Sequence, residues 1–302
     1  MTTALVLSGG GSLGAVQVGM LRALADAGVV PDCLVGTSVG ALNGAFLAGR
    51  AWPDGIDQVD ALWCSLRRPD VFPTSPLLLA LAAAGRSNHL VPDRGLRQLL
   101  ARHLPYELLQ DAAVPVVVVA TEIATGREVV LRHGPAADAV LASASLPGIL
   151  PPVTIDGHAL IDGGLVDNTP ISVAAELGVD SIIVVPTGYA CALPTVPRGA
   201  LAMALHAVTL SIQRRLIDEV ERLQPTLDLR VVPPLCPVSV SPADFGQARQ
   251  LIDRAHRQTA AWLARPRRED QAAELGLHVH GPVPAPRPHP AGSRLPASGP
   301  DH

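Results

Sequence analysis

The sequence predicts an α/β fold built around a largely parallel sheet. Short apolar, strand-like runs alternate with helical patterns along most of the 302 residues, the signature of this class. Two of those runs pass directly into glycine-containing turns that open helices, at Gly9–Gly14 and Gly36–Gly40. Composition agrees: 48% hydrophobic and 17% charged residues suit one globular domain of enzyme size and argue against general disorder.

Taken in order, Ala4–Leu7 reads as a first buried strand and Ala15–Ala27 as its helix, with Gly28 as the C-terminal cap. Cys33–Val35 reads as a second strand, followed at once by Gly36-Thr37-Ser38-Val39-Gly40 and a small-residue helix, Ala41–Ala48. Further strands are expected at Val114–Ala120, Glu128–Arg132, Val153–Ile161, Ser181–Val185 and Leu229–Val232. Inside Val153–Ile161, Asp156-Gly157 is a good two-residue hairpin turn. A last helix is expected from Pro242 to Leu263, with Ser241 as cap and proline at its first position. The domain is therefore expected to span residues 1–265, and the Pro-rich 266–302 to be a disordered or weakly ordered tail. The apolar stretch Ser75–Arg86 leaves two readings open, a short buried core helix or a lid or interfacial element that meets lipid.

Charge and cysteine usage exclude several function classes. A formal net charge of −4 gives no electrostatic reason to expect nucleic acid. There is no lysine, which removes Schiff-base and Ser-Lys chemistry. Cys33, Cys64, Cys191 and Cys236 are scattered without C-x-x-C spacing, so neither a disulfide framework nor a zinc site is expected. No run reaches the roughly 18 uninterrupted apolar residues that a membrane span requires. The opening MTTALVLSGGG has no basic leader, so the expected location is cytoplasmic.

Three short motifs carry the chemistry. Gly9, Gly11 and Gly14 spell G-x-G-x-x-G between a strand and a helix, which matches a dinucleotide fingerprint. That reading needs an acidic side chain at the end of the second strand to hold the ribose hydroxyls. The strand instead ends in Val35-Gly36-Thr37-Ser38, and Asp32 lies at its other end. The loop is better read as an oxyanion hole. Backbone N–H groups of Gly10 and Gly11, with Ser12 or Leu13, would face a carbonyl under attack.

The attacker is Ser38. Gly36 and Gly40 make G-x-S-x-G, and at a strand-to-helix turn this pattern exposes the serine hydroxyl. A base must take its proton. His158 is one candidate; Asp162, in LIDGGLVDNTP, is the better one, because it follows an apolar strand and precedes Gly163 and Gly164. A partly desolvated carboxylate there would have a raised pKa and could accept the proton directly.

Together, GGGSLG at 9–14, GTSVG at 36–40 and DGG at 162–164 resemble the patatin-like phospholipase family. ASASLPGILPPV (142–153), Asn168 and Pro170 match its usual surroundings, and the resemblance extends from Ala4 to about Leu263. It implies a three-layer α/β/α fold and hydrolysis of phospholipid or other fatty-acyl esters by a Ser38–Asp162 dyad. It further implies an oxyanion hole in the Gly9–Gly14 loop, no metal and no cofactor. Contact with a membrane surface would follow from such a substrate. One position departs: Leu13 stands where the family commonly has Arg or Lys. Backbone donors are indifferent to that change, whereas a cation for an anionic headgroup is lost. A catalytically silent, lipid-binding regulator on the same fold is the alternative of a different class.

Overall fold

A computed structural model describes residues 1–188, 191–192, 199–236, 238, 240–241, 243–266, 275 and 278–279. Its centre is an eight-stranded sheet. The first seven strands are β1 (Thr3–Leu7), β2 (Cys33–Thr37), β3 (Val116–Glu122), β4 (Glu128–Leu131), β5 (Val153–Ile155), β6 (His158–Asp162) and β7 (Ser181–Val185). The strand Asp228–Val231 completes it. Five neighbours run parallel in the order β3-β2-β1-β7 and then Asp228–Val231. The antiparallel pieces β4, β5 and β6 gather at the β3 side.

Strand alternation decides the layers. Leu5 and Leu7 of β1, with Val116 and Val118 of β3, join one buried cluster. That cluster is closed by helices α1 (Gly14–Asp26) and α2 (Val39–Ala48), and by the helix Ala248–Leu263. Ala4 and Val6, with Val117 and Val119, join a second cluster on the opposite face. There Ile171 and Val173 pack with Leu216 and Val220 of the long helix Ala200–Leu223. Helices on both faces bury the parallel strands twice, which is why those strands read as unbroken apolar runs. The architecture is the expected three-layer α/β/α arrangement. Gly19 of α1 lies so close to the Ile252 carbonyl that any side chain would collide, which lets the two helices touch along their backbones.

The sequence reading holds for β1, α1, β2 and α2 to within two residues at each end. The hairpin is where it was expected: Asp156 (φ +50°) and Gly157 (φ +82°) turn β5 into β6, the double positive φ of a type I′ turn. Two expectations need correction. The last helix starts at Ala248, and residues 243–247, expected to be part of it, are not helical; Pro242 lies outside the described residues. Before it, Ala243 N–H and Asp244 N–H bond back to Ser241, and Gly246 N–H bonds to Asp244 Oδ1. Phe245 is thereby turned inward onto Trp63. The buried-core reading of Ser75–Arg86 also fails. Pro76–Ala83 is a helix capped by Ser75, and none of its residues is buried.

The expected tail lies almost wholly outside the described residues. Within it, Leu275 is buried in the second cluster, and Gln213 Nε2 donates to its carbonyl at 2.8 Å. His278–Val279 pairs in parallel with Cys191–Ala192.

Candidate active site

Strand pairing along β3 brings the two chemical motifs together. Val118 and Val119 pair with both β2 and β4, so those strands occupy opposite edges. Ala120 and Thr121 pair with both β4 and β6, so β6 also lies opposite β4. β2 and β6 therefore meet end to end along one edge of β3. β2 ends at Thr37 opposite Val119, and β6 ends at Asp162 opposite Ala120. Residue 38 must then leave the sheet beside residue 162.

The turn at that point needs glycine twice. A Cβ on Gly36 would sit 2.5 Å from the Gly40 carbonyl, and one on Gly40 would strike the Leu7 carbonyl. Ser38 itself is held at φ +56°, a region costly for any residue with a Cβ. Its N–H donates to Ser143 Oγ at 2.8 Å, and Ser143 Oγ donates in turn to the Val119 carbonyl at 2.5 Å. Thr37 Oγ1 donates to the Asp167 carbonyl at 2.8 Å. These bonds hold the strained turn from both sides.

Ser38 Oγ donates to Asp162 Oδ2 at 2.7 Å. Asp162 Oδ1 accepts from Gly164 N–H at 2.7 Å, so both carboxylate oxygens are occupied. The Asp162 backbone is pinned as well, by its N–H to the Ser145 carbonyl and by Thr121 Oγ1 to its own carbonyl. Burial pushes the Asp162 carboxyl up to about 6, against the lowering effect of the Ser38 and Gly164 bonds. Gly163 must be glycine here, since a Cβ would strike the Val119 carbonyl.

The first glycine loop lies against the same serine. A Cβ on Gly9 would fall 3.2 Å from Ser38 Cβ, and Gly11 and Ser38 line one cleft. Not every N–H of the loop is free. Gly9 donates to the Asn168 carbonyl, Leu13 to the Gly10 carbonyl, and Gly14 to the carbonyls of Gly11 and Ser12. Gly10, Gly11 and Ser12 keep N–H groups with no acceptor among the described residues. The Ser12 hydroxyl is buried and bonded to the Ser241 carbonyl. Gly14 opens α1 against Val39 and Trp63. Leu13 packs half-buried against the first core cluster. The cleft is apolar, walled by Val39, Leu42, Trp63, Phe72, Leu146 and Phe245 among others.

His158 is remote from this cluster. It lies four residues before Asp162 on β6, about 13 Å along an extended strand. Its Nδ1 pairs with Glu122 Oε1 at 2.5 Å on the exposed surface. Among the described residues, no group of three or more His, Cys, Asp or Glu side chains could hold a metal ion. Nor, among them, is any helix long and apolar enough to cross a membrane.

A family model described as patatin-like phospholipase matches residues 5–175, more than half of the chain. The chain belongs to the patatin-like phospholipase family. Similar relatives include patatin-like phospholipase domain-containing protein 7 of Mus musculus, 31% identical over 198 residues, and protein 6 of Homo sapiens, 32% over 189. These matches take in 61% and 62% of this chain but only 13% of each mammalian protein. An uncharacterised NTE family protein of Mycobacterium tuberculosis is 34% identical over 175 residues, 56% of this chain and 27% of its own. Among solved structures, VipD of Legionella pneumophila overlaps 87% of this chain and 66% of its own. It does so at 16% identity and a TM-score of 0.46. ExoU of Pseudomonas aeruginosa overlaps 87% and 53% at 17% identity, with a TM-score of 0.37. Both overlaps are loose, and the family assignment rests on the sequence match.

For a patatin-like chain, two supporting groups escaped the sequence reading. Ser143, inside ASASLPGILPPV, is fully buried and holds the turn at Ser38. Asp167 lines a separate polar cavity with Arg215 and Glu219. Its Oδ2 is buried without a hydrogen-bond partner among the described residues. Burial and the neighbouring Glu219 push the Asp167 carboxyl up to about 8. Its carbonyl anchors Thr37, and the next carbonyl, of Asn168, anchors Gly9. One short loop thus braces both the serine turn and the glycine loop. Nothing in the periodicity of DGGLVDNTP signals that role.

Proposed function

We propose that this protein is a serine hydrolase of fatty-acyl esters, phospholipids among them, working through a Ser38–Asp162 dyad. The observation that carries this reading is the 2.7 Å bond from Ser38 Oγ to a buried carboxylate that titrates near 6. Such a group is ionised at neutral pH yet basic enough to accept a serine proton as the hydroxyl attacks.

In this mechanism the acyl chain lies along the apolar cleft and its ester carbonyl sits over Ser38. Ser38 Oγ attacks, and its proton passes to Asp162 Oδ2. Negative charge develops on the carbonyl oxygen beside the N–H groups of Gly10 and Gly11, with Ser12 nearby. Donors of this kind are each worth about 2.7–4 kcal/mol in the transition state. Asp162 then returns the proton to the leaving alcohol or lysolipid. Water enters and attacks the acyl carbonyl as it gives a proton to the same carboxylate. Asp162 then returns that proton to Ser38 Oγ as the bond to the acyl group breaks and the fatty acid leaves. No metal or cofactor enters the scheme.

Labelling with a fluorophosphonate tests the reading. Wild-type protein should be modified at Ser38 alone, and Ser38→Ala should fold normally while losing both labelling and ester hydrolysis. Equal hydrolysis by the two proteins would refute it.

A further inference from the structure

The helix Pro76–Ala83 has the sequence PLLLALAA and presents Leu77 and Leu79 to solvent, 70% and 48% exposed. From Val71 to Gly85 there is no charged residue. An isolated exposed leucine needs no explanation; a whole helix without a buried or charged side chain does.

Both ends of this segment are fastened at the rim of the cleft. Phe72, just before it, lines the cleft and lies 6.1 Å from the Phe245 ring. Beyond it, Leu90 N–H bonds to the Gly148 carbonyl and Val91 N–H to the Ile149 carbonyl. Ile149 N–H bonds to the carbonyl of Leu146, a cleft residue itself 38% exposed. Residues 72–90 therefore form a strap whose feet stand at the cleft and whose span is an apolar helix with Leu78 and Leu81 half-buried and Leu77 and Leu79 exposed.

Charge around the strap differs in sign from the rest of the chain. Residues 67–102 hold six arginines (67, 68, 86, 94, 97 and 102) against Asp70 and Asp93, giving +4 in a chain of net −4. All six are exposed. Arg68, Arg86, Arg94 and Arg102 have no carboxylate partner among the described residues. An apolar helix flanked in the chain by exposed arginines without carboxylate partners among the described residues is complementary to a bilayer bearing anionic phosphates. Leucines enter the acyl boundary and arginines stay at headgroup level.

From this we infer that the strap 72–90 is a membrane-docking element that sets the cleft mouth against an anionic phospholipid surface. The proposal deepens the hydrolase reading and rests on it for the identity of the cleft's occupant. A lipid leaving the bilayer would pass from the leucines to Leu146 and Phe72 without crossing bulk water.

Flotation with phosphatidylcholine vesicles, with and without phosphatidylglycerol, tests this. The wild type should bind vesicles containing phosphatidylglycerol, and added salt should weaken that binding. Leu77→Ser with Leu79→Ser should lower partitioning by on the order of tenfold or more. Arg86→Gln with Arg94→Gln should lower it about fivefold per arginine, and only on anionic vesicles. Neither pair should alter hydrolysis of a monomeric, short-chain ester, since none of these residues lines the cleft. Absence of vesicle binding in a protein that hydrolyses the monomeric ester would overturn docking and leave the hydrolase intact. Binding as expected with no ester hydrolysed would do the reverse. A wild-type dimer in solution that the leucine pair dissociates would assign the helix to a second copy of this chain and also overturn the proposal.

Discussion

Replacing Asp162 by asparagine should make the protein more stable while destroying its activity. The carboxyl is buried among Ser38, Gly163 and Gly164 and titrates at about 6 instead of its ordinary 3.8. At about 1.4 kcal/mol per pH decade, keeping it ionised costs the fold about 3 kcal/mol above pH 6. The sign follows from proton binding. The folded state holds this proton more tightly than the unfolded chain does. Wild-type stability contributed by this group therefore falls as pH rises from about 4 to about 6, then stays low. Asparagine resembles the protonated acid and escapes that loss. Its amide oxygen can still accept from Gly164 N–H, and its amide N–H can donate to Ser38 Oγ. The advantage of Asp162→Asn should thus be near zero at pH 4, open through pH 5, and reach at most about 3 kcal/mol at pH 8. In a domain of this size that is a rise in Tm of several degrees. Melting curves of both proteins from pH 4 to 8 measure it. Ester hydrolysis at pH 8 should meanwhile drop by on the order of 10²–10⁴. A stability difference independent of pH, or a folded variant that keeps its activity, would refute the assignment of Asp162 as a strained, buried base.

The other expectations follow from the same geometry. In wild type, kcat/KM should rise with pH and level off above a midpoint near 6, because in the proposed dyad only an ionised Asp162 can accept the serine proton; a flat profile from pH 5 to 8 would contradict this. Ser38→Gly and Ser38→Ala should both be inactive, but glycine should melt higher, by about 1 kcal/mol, since relief of the positive φ outweighs its greater unfolded-chain entropy. Ser143→Ala leaves the Ser38 N–H and the Val119 carbonyl without their shared partner, and should cost about 1–3 kcal/mol in denaturant unfolding together with a lower kcat.

Much of the molecule was legible in the chain because its signals are local. Strands buried on both faces must be unbroken apolar runs, so β1, β2 and β7 announce themselves. The hairpin at Asp156-Gly157 is fixed by two residues that tolerate positive φ. Gly36 and Gly40 are required by contacts within five residues of each other and with β1. The last helix was misjudged because its first turn competes with side-chain-to-backbone bonds at Ser241 and Asp244, and the burial of Phe245 favours the turn. The exposed helix Pro76–Ala83 was ambiguous for a related reason. Apolar composition states what a helix prefers to touch; it does not state whether the rest of the chain covers it.

The sequence by itself determined the strand-turn-helix at Ser38, the glycine loop, the acid at 162 and the family they share, because each is a matter of residue type at short spacing. Only the tertiary structure decided that residues 124 positions apart form a 2.7 Å hydrogen bond. That depends on β2 and β6 ending at adjacent positions on one edge of β3. Tertiary structure also decided which loop N–H groups stay free, that Ser143 and Asp167 brace the site, and that His158 stands apart from it. Long-range register and burial set these features, since the pKa of a carboxylate and the partner of an N–H depend on the neighbours that fold against them.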